Sequence, residues 1–250
     1  MPVLVEALPD AADVVVVTLD RPDRRNALDH ATLHELGDAI AHAVDQRARV
    51  LVLTGAGGHF CAGADLSGVE DEGFVELLRS VLERLHTAPM PVIAAIEGAA
   101  LGAGTQLAMA CDLRIATAGA SFGIPAAKLG LTVDHWTVQQ LARHAGASLA
   151  RLMLLGAEVV RGDRLYASGF VHRLVETGGV GEPAVAWARE LRALAPLTIA
   201  AHKVMLGVAE HVEEPPPVAV EARAAAWTSA DLQEGLAAFR ERRAPDFRWQ

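Results

Sequence analysis

Two glycine-bearing stretches in this chain bring together groups that could polarise an oxygen atom. Leu101 to Asp112, LGAGTQLAMACD, follows the apolar run MPVIAAIEGAA, and its Gly102, Ala103 and Gly104 immediately precede a helix-like run. Backbone N–H groups at such a junction favour negative charge. Leu53 to Leu66, LTGAGGHFCAGADL, sets four glycines after another strand-like run, which lets a ligand approach the backbone closely. If the N–H groups of Ala64 and Ala103 converged on one oxygen they would form an oxyanion hole, an arrangement worth several kcal/mol in a transition state. Gln106 stands on the first turn of the following helix, where acid–base chemistry would use a carboxylate. Its amide can orient a water but neither takes nor gives a proton near neutral pH.

Other stretches carry competing readings. RPDRRNAL, Arg21 to Leu28, places three arginines around a turn before a helix; spacing alone favours solvated loop charge over a phosphate contact. Asp134 in TVDHW either caps the helix HWTVQQLARHAG or serves as an acid or base. His135 and Trp136 beside it line a pocket or pack. His30 and His34 lie four apart, but no glutamate follows His30 and no third ligand is apparent, so a solvated face is expected and no metal site. GAGTQL has Leu107 at the third glycine position of a dinucleotide fingerprint, and no GxSxG elbow occurs.

The elements that must position these residues follow from periodicity. Val14–Leu19, Val50–Thr54 and Pro91–Ile96 are short apolar runs expected as buried strands. Leu33, Leu36, Ile40 and Val44 recur at helical spacing. Phe74, Leu77, Leu78, Val81, Leu82 and Leu85 do so more completely, until Pro89 and Pro91 end the pattern. Strands alternating with helices predict an α/β core of parallel strands joined by crossovers, over residues 1–195. Helical runs broken by EEPPPV predict a helical C-terminal region over residues 196–250, ending in the amphipathic SADLQEGLAAFRERRAPDF. Leu232, Leu236 and Phe239 give that tail an apolar stripe expected to be covered by another copy of the chain.

Composition bounds the partners. A hydrophobic content of 52% in 250 residues is ample for a core, and the formal charge of −9 argues against nucleic acid or an anionic membrane surface. Glu97 interrupts the longest apolar run, so no membrane insertion is expected. The start of the chain lacks the pattern of a signal peptide, and Cys61 and Cys111 form no CxxC or disulfide framework. A cytoplasmic protein with buried thiols is the expectation.

Taken together, RPDRRNAL, VLTGAGGHFCAGADL, PVIAAIEGAALGAGTQLAMACDLRIA, ASFGIPAAKLGL, LLGAEV, ASGFV and EGLAAFRERRAPDF resemble, in order and over nearly the whole chain, the crotonase superfamily of enoyl-CoA hydratases and isomerases. The resemblance implies a spiral of repeated ββα units, a C-terminal helical oligomerisation region, and homotrimers or dimers of trimers. It implies an acyl-CoA or enoyl-CoA ligand, with coenzyme A entering as part of that ligand and no separate cofactor. Carried over by motif, Ala62, Ala64, Asp65 and Leu66 line the CoA and pantetheine path, and Arg24 and Arg25 become candidates for the CoA phosphates. The family's adenine pocket can borrow from the C-terminal region of a neighbouring subunit, which makes Phe239 and Arg243 weaker candidates there, and the Ala64 and Ala103 N–H groups grip the thioester oxygen.

In hydratases of this family one catalytic glutamate follows the glycine run and a second lies twenty residues further on; here those positions are Gln106 and Ala126. The resemblance therefore implies either a protein that binds acyl-CoA in fatty-acid or lipid metabolism without ordinary hydratase activity, or an active hydratase or isomerase that uses Asp134. Asp134 matches the place where some dienoyl-CoA isomerases carry a working aspartate.

Overall fold

The computed structural model describes residues 1–65, 72–176, 179–210, 224, 227–243 and 245. Its contacts divide the chain into two units, Met1–Phe122 with Arg161–His211, and Gly123–Val160 with Val212–Gln250. The boundary expected at residue 195 is not where the contacts divide. The helix after it stays with the first unit, because Lys203 reaches back to the Met90 carbonyl at 3.0 Å and to Asp112 at 2.7 Å.

The first unit is built on a six-stranded sheet. In chain order its elements are β1 (Val3–Leu8), β2 (Ala11–Leu19), α1 (His30–Asp45), β3 (Val50–Gly55), α2 (Glu72–Thr87), β4 (Val92–Ile96), β5 (Ala99–Leu101), α3 (Ala103–Ala110), β6 (Leu113–Thr117) and β7 (Ser121–Gly123). The second unit holds α4 (His135–Ala145) and α5 (Ala147–Leu154), and the chain returns to the first through β8 (Val160–Arg161). Then come α6 (Gly162–Ala167), β9 (Arg173–Val175), α7 (Gly181–Arg192) and α8 (Pro196–Glu210) in the first unit, and α9 (Ala230–Glu241) in the second.

The sheet order is β1-β2-β3-β4-β6-β9, with β1 antiparallel to β2 and every later pair parallel. Register places Val14 opposite Val50, Leu51 opposite Val92, and Ile93 opposite Leu113. The expected strands and helices α1, α2 and α9 all form. The hairpin strand β1, VLVEAL, is apolar in sequence yet mostly exposed, only Val3 being buried among its six residues.

Alternation along the strands gives the sheet two apolar faces. One face, Val14, Val50, Val52, Ile93, Ala95 and Ile115, packs on Ala184, Trp187 and Ala188 of α7. The apolar stripe of α1, Leu33, Leu36 and Ile40, is fully buried as the 3.6-residue period requires. The apolar run from Pro91 does not continue as one strand. It leaves the large sheet after Ile96, turns at Glu97 and Gly98, and resumes as β5, whose Ala100 bridges Cys61.

In the second unit, α9 lies on the short 3₁₀ turn Ala126–Leu129, where a Cβ at Gly235 would fall 2.9 Å from the Leu129 Cα. Leu232 and Leu236 are buried within the chain, and only Phe239 of the expected apolar stripe stays exposed, at 55%. Among the described residues no helix is long and apolar enough to cross a membrane.

Candidate functional site

The loop after β3 and the junction between β5 and α3 meet along one short strand. Residues 60–65 run between two edges. On one side Phe60 N donates to Glu97 O at 2.8 Å, Cys61 N to Ala99 O at 2.8 Å, and Leu101 N to Cys61 O at 3.0 Å. On the other side Ala62 N donates to Arg25 O at 2.9 Å, Leu28 N to Gly63 O at 2.8 Å, and Asp65 N to Leu28 O at 2.7 Å. Because Gly63 O and Asp65 N both face Leu28, strand alternation turns the Ala64 N–H away from Leu28, to the side of β5 and α3.

That is where α3 begins. Gly102, its N-cap residue, has φ 52° and ψ −117°, backbone angles open to glycine and strained for any other residue. The approach is close: a Cβ at Gly63 would lie 3.9 Å from the Ala103 nitrogen, and one at Gly104 would collide with the Cys61 carbonyl. Among the described residues neither the Ala64 nor the Ala103 N–H has a hydrogen-bond acceptor. Two unoccupied donors therefore come from adjacent backbones, one of them on the first residue of a helix whose dipole adds to its pull on an anion. Gln106 is half-buried one turn into α3, with its N–H donating to Gly102 O at 3.1 Å.

The far end of α3 is anchored by a residue the sequence reading missed. Arg114 is 1% exposed, and its guanidinium donates to Ala108 O at 3.0 Å, Cys111 O at 2.8 Å and Phe170 O at 2.7 Å. The first two carbonyls belong to the C-terminal turn of α3, which otherwise leaves its last carbonyls unsatisfied. An arginine inside the apolar strand LRIAT is the signal that could have found it. Burial pushes the thiols of Cys61 and Cys111 up to about 12, so both are inert.

The arginine-rich turn separates into two roles. Arg21 is half-buried and pairs with Asp29 at 3.0 Å and Asp65 at 3.3 Å, and also donates to the Ala27 carbonyl. Asp65 is thus held by an arginine. Asp29 caps α1 through Thr32 N at 2.8 Å and the Thr32 hydroxyl at 2.7 Å. Burial alone would raise its carboxyl, but the Thr32 bonds and Arg21 outweigh it and hold it below the usual range. Arg24 and Arg25 are exposed, on the 3₁₀ turn Pro22–Arg24 and just after it.

Leu66 is outside the described residues. Ala126 and Asp134 belong to the second unit: Ala126 is half-buried in the 3₁₀ turn, and Asp134 caps α4, its Oδ1 accepting Thr137 N at 3.0 Å. Phe239 is on α9, and Arg243 just after it pairs with Glu234 at 2.9 Å and Glu241 at 2.6 Å.

Comparison with known proteins bears on this geometry. Residues 10–250 match the family described as enoyl-CoA hydratase/isomerase. The chain is 42% identical over 241 residues to a Mycobacterium tuberculosis protein named "Probable enoyl-CoA hydratase echA6", covering 95% of this chain and 96% of that protein. It is 34% identical to the 2,3-dehydroadipyl-CoA hydratase of Escherichia coli, covering 94% and 95%. Among solved structures, a methylmalonyl-CoA decarboxylase superposes with a TM-score of 0.91 at 25% identity over 99% of this chain and 98% of that one. A carnitinyl-CoA hydratase from Mycobacterium avium does so at 0.85 and 31% over 100% and 99%. The fold is accordingly the crotonase fold.

Proposed function

The chain belongs to the enoyl-CoA hydratase/isomerase family, and from that premise we propose that it binds acyl-CoA thioesters while hydrating enoyl-CoA only slowly. The observation that carries this reading is the pair of unoccupied N–H groups, Ala64 and Ala103, on backbones that touch. They hold the thioester oxygen and would stabilise an enolate developing there. Ala62, Ala64 and Asp65 line the pantetheine path, and the exposed Arg24 and Arg25 meet the CoA phosphates. Phe239 of a neighbouring subunit packs at the adenine end. Coenzyme A belongs to the ligand, and no further cofactor takes part.

What the site lacks is proton transfer. Gln106 and Ala126 stand where the hydratases carry glutamates, and neither side chain exchanges a proton near neutral pH. The protein then acts in fatty-acid or lipid metabolism as a cytoplasmic carrier or sensor of acyl-CoA, assembled as a homotrimer or a dimer of trimers. A second reading, an active hydratase or isomerase using Asp134, is favoured by one observation: the α4 cap uses Oδ1, and the carboxylate has a second oxygen. Calorimetry with an acyl-CoA and the free fatty acid of equal chain length tests the proposal. Much tighter binding of the thioester is expected; equal affinities would refute it.

A further inference from the structure

One asparagine occurs among the 250 residues, Asn26, and it is fully buried. Its amide serves three backbone groups at once. Oδ1 accepts from Arg21 N at 2.8 Å, and Nδ2 donates to Ala56 O at 2.9 Å and to His59 O at 2.6 Å. Its own N–H donates to Arg21 O at 2.9 Å, so residues 21 and 26 hold each other reciprocally. Arg25 and Asn26, at φ 49° and 58°, are both left-handed, a conformation that asparagine tolerates better than most residues.

The two backbones joined by that amide are the ones that place Ala64. Directly beyond Asn26, Leu28 exchanges hydrogen bonds with Gly63 and Asp65, and directly before it Arg25 O holds Ala62 N. The carbonyls of Ala56 and His59 lie on the loop that leads into the same strand. The strand carrying Ala64 is therefore referenced at its entrance and along its edge to a single side chain. No apolar residue could satisfy the two carbonyls and the N–H, and each would cost free energy if left buried without a partner.

We infer that Asn26 is a positioning residue for the Ala64 donor, setting the strand register that aims this N–H at a ligand carbonyl. The inference rests on the oxyanion reading above and deepens it. A merely structural role would weaken every ligand alike, whereas a positioning role acts on ligands that have a carbonyl oxygen to hold.

The test compares butyryl-CoA with S-butyl-CoA, a thioether without that oxygen, by calorimetry, together with the infrared band of carbon-13-labelled thioester carbonyl. Asn26→Ser removes both Nδ2 donors, and Asn26→Asp sets an anionic oxygen against the two carbonyls. The wild-type protein should prefer the thioester and lower the carbonyl frequency. Folded variants should lose about two- to tenfold of that preference, return the band towards its free position, and keep their affinity for S-butyl-CoA. A folded variant with the wild-type preference and band overturns the inference while leaving the oxyanion reading intact. A wild-type band at the free position overturns the oxyanion reading, and the inference with it. If both variants fail to fold, nitrogen-15 asparagine labelling of the wild-type protein gives one side-chain amide pair. Its resonances should move with butyryl-CoA and stay with S-butyl-CoA, and identical responses to both ligands overturn the inference.

Discussion

Gly104 offers a test of whether the contact between α3 and the Cys61 backbone holds the candidate site together. In Gly104→Ala the new methyl group would collide with the Cys61 carbonyl oxygen and come within 3.0 Å of the carbonyl carbon and Cβ of that residue. The neighbours are chiefly backbone, pinned by the Leu101 N to Cys61 O and Cys61 N to Ala99 O bonds, so the two segments must separate by about 1 Å to reach ordinary contact. Overpacking of this kind costs about 3 kcal/mol at the upper end of its usual range. Replacing glycine by alanine inside a helix returns about 1 kcal/mol. The net loss of about 2 kcal/mol corresponds to a fall in melting temperature of roughly 4–8 °C for a chain of this size. Thermal melts read that loss, and calorimetry should show that thioester affinity falls with it, since Ala103 moves with α3. Gly119→Ala is the control, because no atom lies within 4 Å of its added methyl group. A Gly104→Ala protein that melts with the wild type and binds acyl-CoA unchanged would refute the close approach on which the site depends.

Restoring proton transfer with Gln106→Glu and Ala126→Glu together should raise crotonyl-CoA hydration well above the wild type, either change alone doing much less, because residues that share one water act as a unit; absence of any gain in a folded, ligand-binding double variant counts against the motif assignment. Lys203→Met should destabilise the protein by about 2–4 kcal/mol by leaving the Asp112 carboxylate without its cation. Burial raises the Asp112 carboxyl more than Lys203 lowers it, so the folded state binds the proton more tightly and the deficit should grow as pH rises above the usual carboxylate value of 3.8, measured by melts at several pH values. His172 is pushed down to about 4, first by burial and then by Arg114, so it stays neutral in the fold; stability should be complete above about 6.5 and fall as pH drops towards about 4, with His172→Asn flattening that limb of the melting profile.

Periodicity was sufficient wherever an element buries one face. Helix α2 shows Phe74, Val81 and Leu85 buried at their expected spacing, and β3 is apolar because both of its faces are covered. The same logic fails for β1, which pairs with β2 through backbone while most of its side chains face outward. It also fails for Leu232 and Leu236: an apolar stripe states that cover is needed, not which surface supplies it. The site followed a similar division. Glycine spacing marked Ala64 and Ala103 as donors, but their adjacency depends on the close packing of Gly63 and Gly104, which spacing cannot express. Arg21, Asn26 and Arg114 read as loop or strand polarity in the sequence. Their importance comes from burial and from carbonyls up to 56 residues away. Asp134 fulfils the capping alternative, and its chemistry rests on an oxygen the cap does not use.

The central claim, that the chain holds a thioester without efficiently hydrating it, is tested most directly by mixing excess protein with crotonyl-CoA and following the enoyl absorbance while binding is read from the same sample. The account predicts saturable binding with hydration at least about 10² below an ordinary enzyme rate of about 10 s⁻¹, as loss of acid–base groups requires. Hydration near that ordinary rate, abolished by Asp134→Asn with binding unchanged, would contradict it and make Asp134 the acid–base residue.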